Sequence, residues 1–160
     1  QVSSAASDVY KRQFLMATSS FLSDQEQANV LAAISDAESH TSGEIRLHLE
    51  SRCKGDVLDR AAMVFETLAM HKTALRNGVL FYLATEDRKF AILGDGGINA
   101  VVPEGFWNGV KDTVIAGLAA GNPAEGLASG IRLAGQQLSN HFPLEANDIN
   151  ELSNDISFGS

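Results

Sequence analysis

Three short segments carry residue types suited to ligand chemistry: Thr41-Ser42-Gly43-Glu44, Arg76-Asn77-Gly78 and Gly94-Asp95-Gly96-Gly97. Together they hold two carboxylates (Glu44 and Asp95), one guanidinium (Arg76), one amide (Asn77) and the hydroxyls of Thr41 and Ser42. Two carboxylates brought close hold a divalent cation such as Ca2+ or Mg2+ through oxygen ligands, and a guanidinium grips a phosphate through paired N–H donors. Gly94, Gly96 and Gly97 let the backbone turn sharply and lie close to a ligand. Gathered in one place, these groups read as a site for a cation and a polar substrate such as a phosphate. Asp95 and Glu44 would hold the cation and Arg76 would orient the phosphate. Each also has a purely structural reading. Asp95 can cap the helix that follows it, and Glu44 can pair with Arg76. Asn77 before Gly78 suits a turn, and Trp107 suits packing at the core or rim.

The surrounding pattern has to position these groups. Ser23-Asp24-Gln25-Glu26 is a capping box, and Val30, Leu31, Ile34 and Ala37 follow at helical period, so a helix should end near Ser39. Glu44 to Glu50 alternates: Ile45, Leu47 and Leu49 face inward, and Arg46, His48 and Glu50 face solvent, as in a half-buried strand near a sheet edge. A helix is expected from Val57 to Lys72. Gly78 to Ala84 is a continuous apolar run, the mark of a central strand covered on both faces. Thr85 to Arg88 is a polar turn and Lys89 to Leu93 the next strand, making an antiparallel hairpin. Helices follow at Ile98–Val102, Phe106–Ala120 and Ala124–Asn140, with glycines that suit close packing. The order α-β-α-β-β-α-α-α predicts a three-layer α/β/α sandwich around a small mixed β-sheet.

A helical crossover makes the first two strands parallel, so Glu44 and Gly78 start at one end. The hairpin then returns Gly94-Asp95 to that same end. The three segments should meet at one rim.

Bulk properties narrow the function. The 160 residues fit one domain, and a net charge of -8 without a basic patch excludes nucleic acid as a partner. Cys53 is alone, in a polar loop between Arg52 and Lys54, with no Cys-x5-Arg phosphate loop after it. No two histidines have zinc-ligand spacing. His40, His71 and His141 sit at helix ends, and His48 reads as a solvated strand residue. Asp148-Ile149-Asn150-Glu151 lacks the glycine of a calcium loop, and Gly94-Asp95-Gly96-Gly97-Ile98-Asn99 lacks the third glycine of a dinucleotide fingerprint, so no nucleotide is expected.

Residues 1–15 read as an adapter-derived or disordered leader: Ser3 to Gln13 resembles a translated sequencing adapter, and Met16 looks like the natural start. No secretory signal or membrane-spanning run is visible, so a cytoplasmic location is expected. Residues 16–143 form the α/β domain, and 144–160 an acidic, irregular or loosely docked tail.

The combination Thr41-Ser42-Gly43-Glu44-Ile45, Arg76-Asn77-Gly78-Val79-Leu80, Gly94-Asp95-Gly96-Gly97-Ile98, Trp107 and Asn150-Glu151-Leu152 resembles the TPM-domain family, also called the TPM phosphatase domain, from Phe21 to Ile156. The resemblance implies a Rossmann-like fold. It also implies the properties assigned to some members: acid phosphatase activity, notably in thylakoids, and calcium binding. Many bacterial members are membrane-anchored, whereas this chain is similar to the small soluble type. Two functions follow as expectations. One is a divalent-cation-binding or partner-binding module that docks on a membrane-associated protein. The other is a metal-assisted acid phosphatase acting on phosphomonoesters.

Overall fold

The computed structural model describes residues 21–144, 152 and 154–159. Helix α1 (Asp24–Glu38) starts at the expected capping box, with Ser23 and Glu26 bonded reciprocally. It leads into β1 (Glu44–Glu50), then α2 (Val57–Thr67), β2 (Gly78–Ala84) and β3 (Lys89–Gly94). Three helices follow, α3 (Gly96–Asn99), α4 (Asn108–Ala119) and α5 (Pro123–Ser139), and a two-residue strand, β4 (Ser157–Phe158). The sheet order is β3-β2-β1-β4, with β1 parallel to β2 and β4 and β2 antiparallel to β3. The predicted mixed sheet and parallel crossover are present, and the chain is an α/β sandwich.

Ile45, Leu47, Leu49, Val79, Phe81 and Leu83 turn to one face of the sheet, where they pack with Val30, Ile34, Val110, Val114, Leu127 and Ile131 from α1, α4 and α5. Leu80, Tyr82, Ala84 and Ala91 occupy the other face beneath Ala61, Val64 and Phe65 of α2. The helical glycines mark close approaches. A Cβ on Gly135 would lie 2.7 Å from the Ala37 Cα, and one on Gly117 2.4 Å from the Gly126 Cα.

Four expectations need correction. β1 is an interior strand, flanked by β2 and β4, and on its second face Arg60 of α2 reaches Glu50 while Ser157 of β4 meets His48. His48 and Glu50 are therefore buried, where alternation alone had placed them in solvent. Cys53 is likewise buried in the α2-side core, because its loop folds back under Asp87 and Lys89: the Cys53 N–H donates to Asp87 Oδ2 and its carbonyl accepts from Lys89 Nζ. Helix α2 stops at Thr67 rather than Lys72, since Ala69 turns the chain at φ 56°. In the tail, Ser157–Phe158 pairs with β1 as a short strand, where an irregular or loosely docked segment had been expected. The leader at 1–15, and Asn150 and Glu151 of the closing motif, lie outside the described residues.

Candidate functional site

The rim forms as the topology requires. Glu44 opens β1 in register with Gly78, its N–H donates to the Asn77 carbonyl, and the Asp95 N–H donates to the Gly78 carbonyl. The three segments are thus laced together by backbone hydrogen bonds. Thr41 and Ser42 are tied to the end of α5 through the Phe142 carbonyl, which accepts from both hydroxyls and from the Ser42 N–H. The Asn77 amide donates to the Ser42 carbonyl at 3.3 Å, while its Oδ1 is buried without a hydrogen-bond partner among the described residues.

Within this rim the charged groups form two separate pairs. Arg76 Nε and Nη2 each donate to one Asp95 oxygen at 2.8 Å, a bidentate fork. Asp95 Oδ1 also accepts the Gly96 N–H at 2.7 Å and caps α3. Burial disfavours the Asp95 charge, but Arg76 and the Gly96 N–H outweigh it and hold the carboxyl below its usual range. The Arg76 side chain remains 55% exposed, and its backbone sits at φ 51°. Gly97 permits this turn: a Cβ there would lie 2.1 Å from the Leu75 carbonyl oxygen and 2.6 Å from that of Arg76. The Gly97 N–H donates to the Arg76 carbonyl and closes the loop. Gly43 and Gly94 pack tightly, Gly94 against Ile98 and Trp107, whereas Gly96 faces open space. Trp107 meets Phe106 edge to face at 4.8 Å, the packing role foreseen for it.

Glu44, 4% exposed, turns to a partner that sequence reasoning did not weigh. Its carboxyl meets that of Glu38, the last residue of α1, and Glu38 Oε2 accepts the Ile45 N–H at 2.8 Å. Burial first, and the charge of Glu44 next, push the Glu38 carboxyl up to about 7 against the opposing pull of the Ile45 N–H. The Glu38 carboxyl therefore holds its proton toward neutral pH, facing Glu44. The available signal was the spacing: Glu38 closes a helix six residues before Glu44 opens a strand, with Thr41-Ser42-Gly43 as the bend between them.

A second polar cluster, on the α2 face, was missed altogether. Arg60 Nε and Nη2 donate to the two Glu50 oxygens at 2.8 Å, and the Tyr82 hydroxyl donates to Glu50 Oε2. His48 Nε2 lies 3.2 Å from Glu50 Oε1, and its ring stacks on that of Tyr82. Burial works to raise the Glu50 carboxyl, yet Arg60, Tyr82 and His48 together hold it down at about 2. The same burial, with the Glu50 charge beside it, raises the Tyr82 hydroxyl.

No group of three histidine, cysteine or acidic side chains able to hold a metal occurs among the described residues, and no described helix is long and apolar enough to cross a membrane. A family profile described as the TPM domain matches residues 16–137. A comparison with curated proteins finds no match. Among solved structures, the BA42 protein of the psychrophilic bacterium Bizionia argentinensis is 47% identical, with a TM-score of 0.83 over 87% of this chain and 96% of that one. The N-terminal domain of a P. gingivalis protein has a TM-score of 0.57 at 22% identity, covering 76% of this chain and 78% of that one. An N-terminal domain from Corynebacterium glutamicum, 14% identical, also reaches 0.57, over 87% of this chain and 80% of that one. These last two share the fold alone.

Proposed function

We propose that this chain, which belongs to the TPM-domain family, is a divalent-cation-binding module that docks on a protein partner through the rim of the sheet. The observation that carries the reading is the Glu38–Glu44 carboxyl pair: a half-buried Glu38 whose carboxyl is raised to about 7, facing a buried Glu44. Such a pair exchanges its proton for a cation readily, because the cation relieves the same repulsion. The donor set is all oxygen, as Ca2+ and Mg2+ prefer: Glu38, Glu44, the hydroxyl of Ser42 and the Oδ1 of Asn77, which has no partner among the described residues. Asp95 fits less well than Glu38, since Arg76 and the Gly96 N–H occupy its oxygens. Leu75 and Val101 are both more than half exposed, beside Arg76 and just after α3 in the chain, and give the rim an apolar margin for a partner, with a membrane-associated protein as the candidate class.

Calcium and magnesium titration followed by amide NMR tests this reading. Shifts are expected at Glu38, Gly43 to Ile45 and Asn77, with loss of the response in Glu44→Gln. Shifts confined to other regions would reject the site.

The exposed Arg76 guanidinium, oriented by Asp95 at the same rim as Glu44, favours a second reading: acid phosphatase activity on phosphomonoesters, with Arg76 gripping the phosphate. Turnover of a generic phosphomonoester that persists unchanged in both Asp95→Ala and Glu44→Ala would remove this assignment.

A further inference from the structure

The hold of β4 on the sheet is slight in length and specific in detail. Ser157 and Phe158 pair with His48 and Leu49, and the Gly159 N–H donates to the Leu49 carbonyl at 2.6 Å. Two further contacts fix which residues can lie there. Ser157 Oγ sits 3.0 Å from His48 Nδ1. A Cβ on Gly159 would lie 2.5 Å from Glu50 Oε1 and 2.9 Å from His48 Nε2. Glu50 cannot step aside, because Arg60 grips both of its oxygens. Only glycine fits against this carboxylate, so the segment seals the cluster by shape as well as by hydrogen bonds.

His48 is the titratable group under that seal. It is 6% exposed. The groups that face it are Glu50 and Arg46 from β1, Arg60 from α2, the Tyr82 ring from β2 and the Ser157 hydroxyl from β4. Glu50 already serves Arg60 and Tyr82. In the neutral ring the Nε2–H is assigned to Glu50, which leaves Nδ1 to accept the Ser157 hydroxyl proton. A proton added to Nδ1 would place a third cation beside Arg46, Arg60 and one carboxylate. It would also turn an acceptor into a donor facing Ser157.

We propose that Ser157–Gly159 is an acid-released strap: it closes over neutral His48 and opens when that imidazole takes up a proton, baring the His48 ring and the Leu49 carbonyl on the outer edge of β1. Burial lowers the proton affinity of docked His48, and Arg60 and Arg46 add to this against the opposing pull of Glu50. The undocked ring binds protons more readily than the docked one. Docking is therefore full above the ordinary histidine value near 6.5 and weakens as the pH falls below it.

Amide hydrogen-exchange protection at Gly159, followed by NMR on the full chain from pH 7.5 to 5.5, tests the strap. Protection should fall with acid, at most about tenfold per pH unit, while Leu47 and Phe81 in the sheet stay protected. His48→Gln keeps an amide donor for Glu50 and an acceptor for Ser157, so it should hold the strap with no such fall. Any contribution from Glu38 persists in that variant, so the difference reports His48. Gly159→Ala should open the strap at every pH. Equal Gly159 protection at both ends of the range would overturn the proposal. So would the same fall in His48→Gln, or wild-type protection in Gly159→Ala. If His48→Gln unfolds, the His48 titration decides: its midpoint should rise in Gly159→Ala relative to wild type, and equal midpoints overturn the strap.

Discussion

Glu38 and Glu50 make an instructive pair. Both are carboxyl groups at β1, one beside its first residues and one at its last; Glu50 is buried and Glu38 half-buried. Yet Glu38 is raised to about 7 and Glu50 lowered to about 2. Burial pushes both in the same direction, upward. The difference lies in the company each keeps: Glu38 meets another acid, whereas Glu50 receives two N–H donors from Arg60 and a hydroxyl from Tyr82. Burial of an acid sets the stakes, and the neighbour sets the sign. The Glu50 end is built as a closed structural network; the Glu38 end is left with a proton to give up.

The largest effect expected is at the closed end. Arg60→Ala leaves Glu50, 2% exposed, without its principal counter-charge, and should cost about 3 kcal/mol in urea unfolding. A loss below about 1 kcal/mol would mean that Tyr82 and His48 suffice alone, and the contrast with Glu38 would weaken.

Next come the opposite pH dependences. The folded-state value of Glu50 lies below its ordinary 4.5, so its contribution to stability is present above pH 4.5 and fades as the pH falls toward 2. Glu38 is the reverse: its raised value favours the fold at low pH, and stability is lost as the pH climbs from 4.5 to about 7. Thermal unfolding of Glu50→Gln should show a flatter acid limb. Glu38→Gln should show a flatter limb between pH 4.5 and 7 and a higher melting temperature than wild type at pH 8. Identical limbs in wild type and either variant would remove that residue's half of the contrast.

At the rim, Asp95→Ala removes the cap of α3 and the partner of Arg76 together, with an expected loss of about 1 kcal/mol by thermal or urea unfolding. Arg76→Gly should cost less than Arg60→Ala, because Arg76 itself is 55% exposed and relief at φ 51° offsets part of the loss, although it leaves the buried Asp95 without its guanidinium. A large drop there would show that the Arg76–Asp95 fork holds the rim together rather than decorating it.

Much of this was legible in the residue order. The capping box of α1, the apolar run of β2, the hairpin and the crossover are local patterns, and each is formed by neighbours in the chain. The convergence of the three segments at one rim followed from strand direction, and the helix after Asp95 marked that residue as its cap. What the pattern misjudged has a common cause. Alternation along β1 distinguishes two faces but does not say that Arg60 of α2 and the β4 segment close over the second one, so His48 and Glu50 looked solvated. The family resemblance pointed to the rim and carried no information on Glu38, whose carboxyl reaches Glu44 only because α1 ends against the start of β1.

The sequence by itself determined the elements, their order and the rim at which the three segments converge, because hydrophobic period, caps and turn residues act over a few positions. The tertiary structure alone decided who pairs with whom. It put Arg76 on Asp95, an acid beside Glu44, and Arg60 with Tyr82 on Glu50, and it added the two-residue strand β4 to the sheet. Those choices rest on side chains brought within about 3 Å from positions up to 109 residues apart, and a charge answers to the nearest opposite or like charge in space, not in sequence.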